Sequence, residues 1–221
     1  MYAIVTGGSR GLGYHLAKEL KKRGYDIILI AKDEKRLKKT AKSLDAKYYA
    51  LDLAKNYKEM KEIIKKYSPH VVVNNAGFGI YGKLKNQDWE RIREMLNVNV
   101  YAVTYITKIA LENMEEGYIL NIASVAACGK QKNLSVYAAT KAYVAHLSKC
   151  IMKEQKDIHI SYLLLGPTRT DFFKNANMPT GYLEKLMMDP DKVARYTINK
   201  MFKGKRKIVP GWIYKFYCLM K

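Results

Sequence analysis

Apolar and polar positions alternate between two patterns along this chain of 221 residues. Short runs of Val, Ile and Leu are typical of strands buried on both faces, and the stretches between them repeat apolar residues at helical spacing. The first three strands and the helices after them are YAIVT with 12–23, DIILIA with 34–44, and YYALD with 55–67. The pattern continues with VVVNNAG and a long helix over 88–112, YILNIAS and the helix holding Tyr137, IHISYLLL and 191–202, and a final strand KIVPG.

This alternation predicts a fold class. Strands that are apolar on both faces and joined by helices favour a doubly wound, parallel, seven-stranded sheet in a three-layer α/β arrangement. The length suits one domain, which we expect to span residues 1–221. In such sheets ligands bind beyond the carboxyl ends of the strands, at the point where the strand order reverses.

The charge of the chain is strongly positive, with a formal net charge of +20. Its lysines are spread over the predicted helices, which favours a solvated surface that attracts phosphate-bearing ligands over a nucleic-acid site. The chain lacks an apolar run of spanning length and starts without a leader pattern. Cys128, Cys150 and Cys218 lie far apart without metal-ligand spacing. We therefore expect reduced, mostly buried thiols, no metal and a cytoplasmic protein.

A glycine-rich turn, TGGSRGLG, closes the first strand and leads directly into a helix. Gly7, Gly11 and Gly13 permit a tight turn and a close approach of the backbone to a phosphate, while the helix amino terminus offers free N–H groups. The turn therefore predicts a dinucleotide site.

The residues at the end of the second strand indicate which dinucleotide is bound. An acidic residue there would bind the ribose 2′-hydroxyl, but this chain has Lys32, and Arg10 lies in the glycine loop. Both cations favour a 2′-phosphate and hence NADP(H). Asp33 is the opposing signal, and its simpler interpretation is the N-cap of the next helix.

Tyr137 and Lys141 stand four residues apart in YAATK, which places them on one face of a helix. The spacing alone identifies nothing, because it recurs at Tyr14/Lys18, Tyr57/Lys61, Tyr81/Lys85, Tyr196/Lys200 and Tyr217/Lys221. What distinguishes this pair is its position, in the helix that follows the strand ending in Ser124.

Seven motifs in order resemble those of the short-chain dehydrogenase/reductase family and cover nearly the whole chain. They are TGGSRGLG, LDL with Asp52, NNAG at 74–77, NVNV with Asn99, NIASVAA with Ser124, YAATK, and GPTRTDF from Gly166. The resemblance implies a Rossmann fold and an oxidoreductase that transfers hydride between NADP(H) and a carbonyl or secondary alcohol.

The resemblance also implies residue roles. Tyr137 would be the general acid, with Lys141 lowering its pKa and holding the nicotinamide ribose. Ser124 would hydrogen-bond the substrate oxygen, and Asn99 would hold a water that links Lys141 to solvent. The expected cofactor-binding residues are Gly7, Ser9, Arg10, Gly11, Leu12, Gly13, Lys32, Asp52, Leu53, Asn75, Ala76, Gly77, Tyr137, Lys141, Thr168 and Thr170. Within NNAG, Asn74 is expected to be architectural.

Two segments outside these motifs carry further expectations. Residues 172–189 are expected to form a lid over the substrate. Its apolar side chains indicate either a hydrophobic carbonyl substrate or simple packing, and the sequence favours neither; they are Phe173, Met178, Leu183, Met187 and Met188. The segment GWIYKFYCLMK could lie on an anionic membrane surface or cover a neighbouring subunit, but a helix packed on its own domain is favoured.

Two expectations concern partners and a rival function. A homo-oligomer, either a dimer or a tetramer, is expected. The alternative function is a non-catalytic NADP(H)-binding sensor or basic interaction protein on the same fold, and the intact set of reacting residues argues against it.

Overall fold

The computed structural model describes residues 1–220, apart from the side chains of Tyr182 and Leu183. Its parallel seven-stranded sheet has the order β3-β2-β1-β4-β5-β6-β7. The strands are β1 Tyr2–Thr6, β2 Asp26–Ala31, β3 Lys47–Ala50, β4 Val71–Asn74, β5 Gly117–Ser124, β6 Ile158–Leu165 and β7 Lys207–Ile208. The predicted sheet is confirmed, although β7 is shorter than the run KIVPG indicated.

Helices cover both faces of the sheet. They are α1 Gly11–Lys21, α2 Glu34–Leu44, α3 Met60–Tyr67, α4 Trp89–Leu96, α5 Val103–Asn113, α6 Ser135–Glu154, α7 Phe172–Asn175, α8 Pro190–Phe202 and α9 Trp212–Tyr217. The core on one face is built with α1, α2 and α8, and the core on the other with α3, α5 and α6. The predicted three-layer α/β arrangement is therefore confirmed.

The central strands explain why the apolar runs are nearly continuous. In β1, Val5 belongs to one core and Ile4 to the other, and both side chains are fully buried. A strand covered by helices on both faces gains from apolar residues at every position, because each one is removed from water.

The long helix predicted over 88–112 is interrupted. A π-helical turn, Asn97–Ala102, separates α4 from α5 and contains the fully buried Asn99. Such turns insert one extra residue into the helix and commonly mark functional sites. Hydrophobic periodicity does not reveal the turn, because the apolar stripe continues through it.

The expectation of reduced, mostly buried thiols is wrong. Cys128 and Cys218 form a disulfide with Cα atoms 5.3 Å apart, and Cys150 is free and exposed. The pairing spans 90 positions, because α9 returns to pack beside the turn that follows β5. Cysteine usage therefore gives no support to a cytoplasmic location.

Across the part of the chain that the structure describes, every helix is too short or too polar to cross a bilayer.

Candidate active site

A cleft of about 800 Å³ opens at the carboxyl ends of the strands. It lies where the strand order reverses, since β1 pairs with β2 on one side and with β4 on the other. Every predicted catalytic or cofactor-binding residue except Asn99 lines this cleft. The sheet thus brings together side chains from loops that are distant in sequence.

The glycine loop is held in shape from behind by Asn75. The Asn75 side-chain amide donates to the carbonyl oxygens of Thr6 and Gly7, at 2.8 and 3.2 Å. A Cβ atom on Gly13 would overlap the Gly7 carbonyl oxygen and lie 2.5 Å from Nδ2 of Asn75, so a larger residue does not fit there. Gly7 itself has a φ of 65°, which favours glycine.

The amino terminus of α1 faces the cleft, with Gly11, Leu12 and Gly13 among the lining residues. Among the described residues, no side chain caps this terminus, so its first N–H groups are free to meet an anion. A helix terminus of this kind is suited to face an anion.

Positive charge collects beside that terminus. Arg10 Nη1 lies 2.7 Å from the Asp171 carboxylate, and Arg36 lies 3.7 Å from the same group. Asp33 accepts a hydrogen bond from the Arg36 backbone N–H at 3.0 Å, which confirms its interpretation as the N-cap of α2. Lys32 is exposed at the cleft margin. Arg36 does not line the cleft, and its approach to Asp171 depends on how the first turn of α2 packs, which the sequence does not reveal.

Ser124, Tyr137 and Lys141 meet at the other end of the cleft. Ser124 is the last residue of β5, and Tyr137 and Lys141 occupy the first turns of α6. All three are buried, and Lys141 Nζ donates to the Ile122 carbonyl oxygen at 2.8 Å. The ammonium lies 5.9 Å from the centre of the Tyr137 ring.

Burial shifts both titratable groups in this cluster. It raises the pKa of Tyr137 to about 12, and the neighbouring Ser124 hydroxyl opposes that increase. It lowers the pKa of Lys141 to about 8. Burial is the largest cause of the Tyr137 shift, and the expected lowering of its pKa by protonated Lys141 stays a prediction. Tyr137 stays protonated at neutral pH and is suited to donate a proton.

Asn99 lies behind the cleft and is fully buried. Its side chain donates to the Phe78 carbonyl oxygen at 2.9 Å and to Thr140 Oγ1 at 3.1 Å, and it accepts from the Phe78 N–H at 3.2 Å. Asn99 therefore fixes the loop after β4 against the residue that precedes Lys141. Its role in holding a water stays a prediction.

A buried polar chain joins the two strands beneath the site. Asn74 donates to Thr107 Oγ1 and Asn121 Oδ1, at 3.0 and 2.8 Å, and Asn121 donates to Ser148 Oγ at 3.0 Å. Asn74 does not line the cleft, so its expected architectural role is confirmed.

The outer part of the cleft is apolar and aromatic. Phe172, Phe173, Asn175 and Met178 line it from the segment 172–189, whereas Met187 and Met188 do not. The side chain of Leu183, named with them from the sequence, lies outside the described residues.

The C-terminal helix completes this wall, which sequence reasoning missed. Tyr214 and Tyr217 of α9 line the cleft beside Gln131 and Leu134. The aromatic composition of the segment was the available signal, but its position depends on tertiary packing. Lys221, four residues after Tyr217, lies outside the described residues.

A parallel sheet in this order, with a glycine loop at its reversal point and a Ser–Tyr–Lys cluster in the same cleft, defines a dinucleotide-binding α/β enzyme. The family model described as short chain dehydrogenase matches residues 1–180. The chain belongs to this family and is a hydride-transfer oxidoreductase.

Similar proteins span most of the chain. An uncharacterised oxidoreductase of Schizosaccharomyces pombe is 35% identical, with 94% of this chain and 81% of the relative covered. The very-long-chain 3-oxoacyl-CoA reductase of Rattus norvegicus is 28% identical, with 96% and 77% covered. A short-chain dehydrogenase from Sphingobium yanoikuyae, solved in complex with NADPH, superposes with a TM-score of 0.90 at 25% identity, covering 99% of this chain and 91% of that one.

Proposed function

We propose that the chain is an NADP(H)-dependent carbonyl reductase or alcohol dehydrogenase in which Tyr137 exchanges the proton. The observation that carries this proposal is the convergence of Ser124, Tyr137 and Lys141 in the cleft whose other end holds the glycine loop. The structure of the Sphingobium yanoikuyae relative, a complex with NADPH, supports the choice of cofactor.

The residues present fit a dinucleotide. The free N–H groups at the start of α1, with Ser9 and the glycines of the loop, would hold the phosphates. The adenine would lie beside Asp52 and Leu53. The ribose wall would be formed by 75–77, and Thr168 and Thr170 would meet the nicotinamide end.

The proposed chemistry assigns one task to each reacting side chain. The bound cofactor supplies hydride to the substrate carbonyl carbon. Tyr137 gives its phenolic proton to the carbonyl oxygen as negative charge develops there, and solvent returns a proton to the phenolate. Ser124 donates a hydrogen bond to the same oxygen, and protonated Lys141 stabilises the phenolate that forms.

The lining of the outer cleft supports an apolar carbonyl substrate. Phe172, Met178 and Tyr214 present apolar surface within reach of the Tyr137 side of the cleft, and the Phe172 and Tyr137 ring centres lie 5.2 Å apart. We also propose a homo-oligomer, for which the exposed Tyr101 in the π-helical turn and Tyr143 on α6 offer contact surface.

The function is tested by following nucleotide oxidation with a panel of carbonyl compounds. We expect NADPH-dependent reduction of apolar ketones or 3-oxoacyl thioesters, with NADPH preferred over NADH. Tight NADPH binding without turnover of any member of a broad panel would instead indicate the non-catalytic sensor.

Cofactor preference is tested at the cationic margin of the cleft. Arg10→Ala and Lys32→Ala each remove a charge-assisted contact to the 2′-phosphate, so each should raise the KM for NADPH by about tenfold and leave that for NADH nearly unchanged. Asp171→Asn is the matched control, because it frees Arg10 from its 2.7 Å ion pair and should not weaken NADPH binding. Equal losses for NADPH and NADH would contradict the assignment.

A further inference from the structure

The C-terminal segment exposes a continuous apolar face. Trp212 and Leu219 are each 77% exposed, and Ile213, Phe216 and Met220 are exposed as well. The helical turn of α9 continues to residue 220, since the Met220 N–H donates to the Phe216 carbonyl at 3.2 Å. At helical spacing these five side chains fall on one side, and such a patch on a protein surface marks an interaction site.

The opposite side of this segment is fixed to the domain. The buried Tyr214 ring packs on Gly166, and its hydroxyl donates to the Leu186 carbonyl at 2.7 Å. Tyr217 accepts a hydrogen bond from Gln131 at 2.7 Å, and Cys218 is bonded to Cys128. The apolar face is therefore held outward by contacts on the other side of the helix.

The surroundings of this face are positively charged. Lys215 is exposed on α9 itself, and it shares the Tyr196 ring with Lys200, at 5.8 and 5.5 Å from the ring centre. Lys130 and Lys132 are exposed in the loop that Gln131 and Cys128 tie to the helix. The sequence from residue 192 onward contains no Asp or Glu.

We propose that this face docks on an anionic lipid bilayer, with Trp212, Phe216, Leu219 and Met220 in the interfacial layer and Lys215, Lys130 and Lys132 at the phosphate headgroups. Apolar burial and attraction to anionic lipid act together in such a contact. A second copy is a poorer partner, because a symmetric contact through this face would bring the same lysines together.

The docking places the bilayer next to the cleft. α9 turns Tyr214 and Tyr217 toward the cleft and its apolar face outward. A substrate dissolved in the membrane would then meet the wall of the cleft directly. This consequence rests on the proposed function, whereas the docking itself does not.

Vesicle flotation with the full chain tests the docking. We expect binding to vesicles of phosphatidylcholine with phosphatidylserine, weaker binding as salt is raised, and little binding to phosphatidylcholine alone. The double variant Trp212→Ser/Phe216→Ser should lower binding by about tenfold or more with an unchanged melting temperature, because both side chains are exposed. Trp89→Ser is the matched control, since Trp89 is 67% exposed on α4 and should not contribute.

Fluorescence supplies an independent readout, because the chain has 2 tryptophans. In Trp89→Phe the emission should shift to the blue when anionic vesicles are added, and in Trp212→Phe it should not. Absence of binding to anionic vesicles, or equal binding by the double variant, overturns the proposal. A blue shift without vesicles that follows protein concentration, together with a larger mass, would assign the face to a second copy and also overturn it.

Discussion

Replacing Tyr137 by phenylalanine is expected to lower kcat for carbonyl reduction by about 10²–10⁴-fold, the usual contribution of a positioned general acid. The variant keeps the ring that packs 5.2 Å from Phe172 and removes only the hydroxyl. Since the phosphate and adenine ends of the cleft are untouched, NADPH binding should change little. Stopped-flow or steady-state nucleotide oxidation gives kcat, and nucleotide fluorescence gives the affinity.

The chain offers a matched control for this variant. Tyr196 also precedes a lysine by four residues on a helix, and Lys200 lies 5.5 Å from the centre of its ring, but neither residue lines the cleft. Tyr196→Phe should therefore retain full turnover. If Tyr137→Phe turned over substrate as fast as Tyr196→Phe, the phenol could not be the proton donor.

Replacing Lys141 by methionine is expected to remove activity and stabilise the fold. Lys141 is 5% exposed and its charge is held by one hydrogen bond to the Ile122 carbonyl. Methionine fills similar space without a charge to desolvate, so at pH 7 the free energy of unfolding should rise by about 1–2 kcal/mol after the lost hydrogen bond is counted. For a chain of this size that corresponds to a melting temperature higher by roughly 2–8 °C.

The stability difference between Lys141→Met and the wild type should depend on pH. Burial lowers the pKa of Lys141 from 10.5 to about 8, so the cost of burying the charge is fully present below pH 8 and disappears as pH rises toward 10.5. The stability advantage of Lys141→Met should shrink over the same interval. In the wild type, the reduction rate should fall as pH rises through about 8, because the charge that stabilises the Tyr137 phenolate is lost. A variant less stable than the wild type at pH 7 would contradict this account.

Tyr137 and Lys141, the predicted catalytic pair, show how much of the site the local sequence can predict. Helical spacing placed Tyr137 and Lys141 on one face, but five other pairs share that spacing, and only the sheet decides which pair meets Ser124. The motif order supplied this answer through family resemblance. The raised pKa of Tyr137 and the lowered pKa of Lys141 could not be predicted from the sequence, because both depend on how deeply the surrounding loops bury these side chains.

The hydrogen bonds of Asn99 and the pairing of the cysteines could not be predicted from the sequence. The motif located Asn99, but its hydrogen bonds to Phe78 and Thr140 are made from a π-helical turn that the apolar periodicity does not reveal. Cys128 and Cys218 lie 90 positions apart and lack any local pattern that pairs them. Contacts between distant segments leave little trace in a single sequence, because either partner alone is compatible with many surroundings.

The sequence by itself determined the layers of the fold and the glycine loop, and it placed Arg10 and Lys32 beside that loop. Through family motifs it also named Ser124, Tyr137 and Lys141 as the candidate catalytic residues. Short stretches of sequence are enough to predict these features, through hydrophobic periodicity, turn residues and short motifs. Only the tertiary structure decided that Arg36 joins Arg10 beside Asp171, that Asn99 lies behind the cleft, and that α9 lines the outer cleft while exposing Trp212. Each of these depends on which segments pack together, and packing is settled by the whole core rather than by any one stretch of chain.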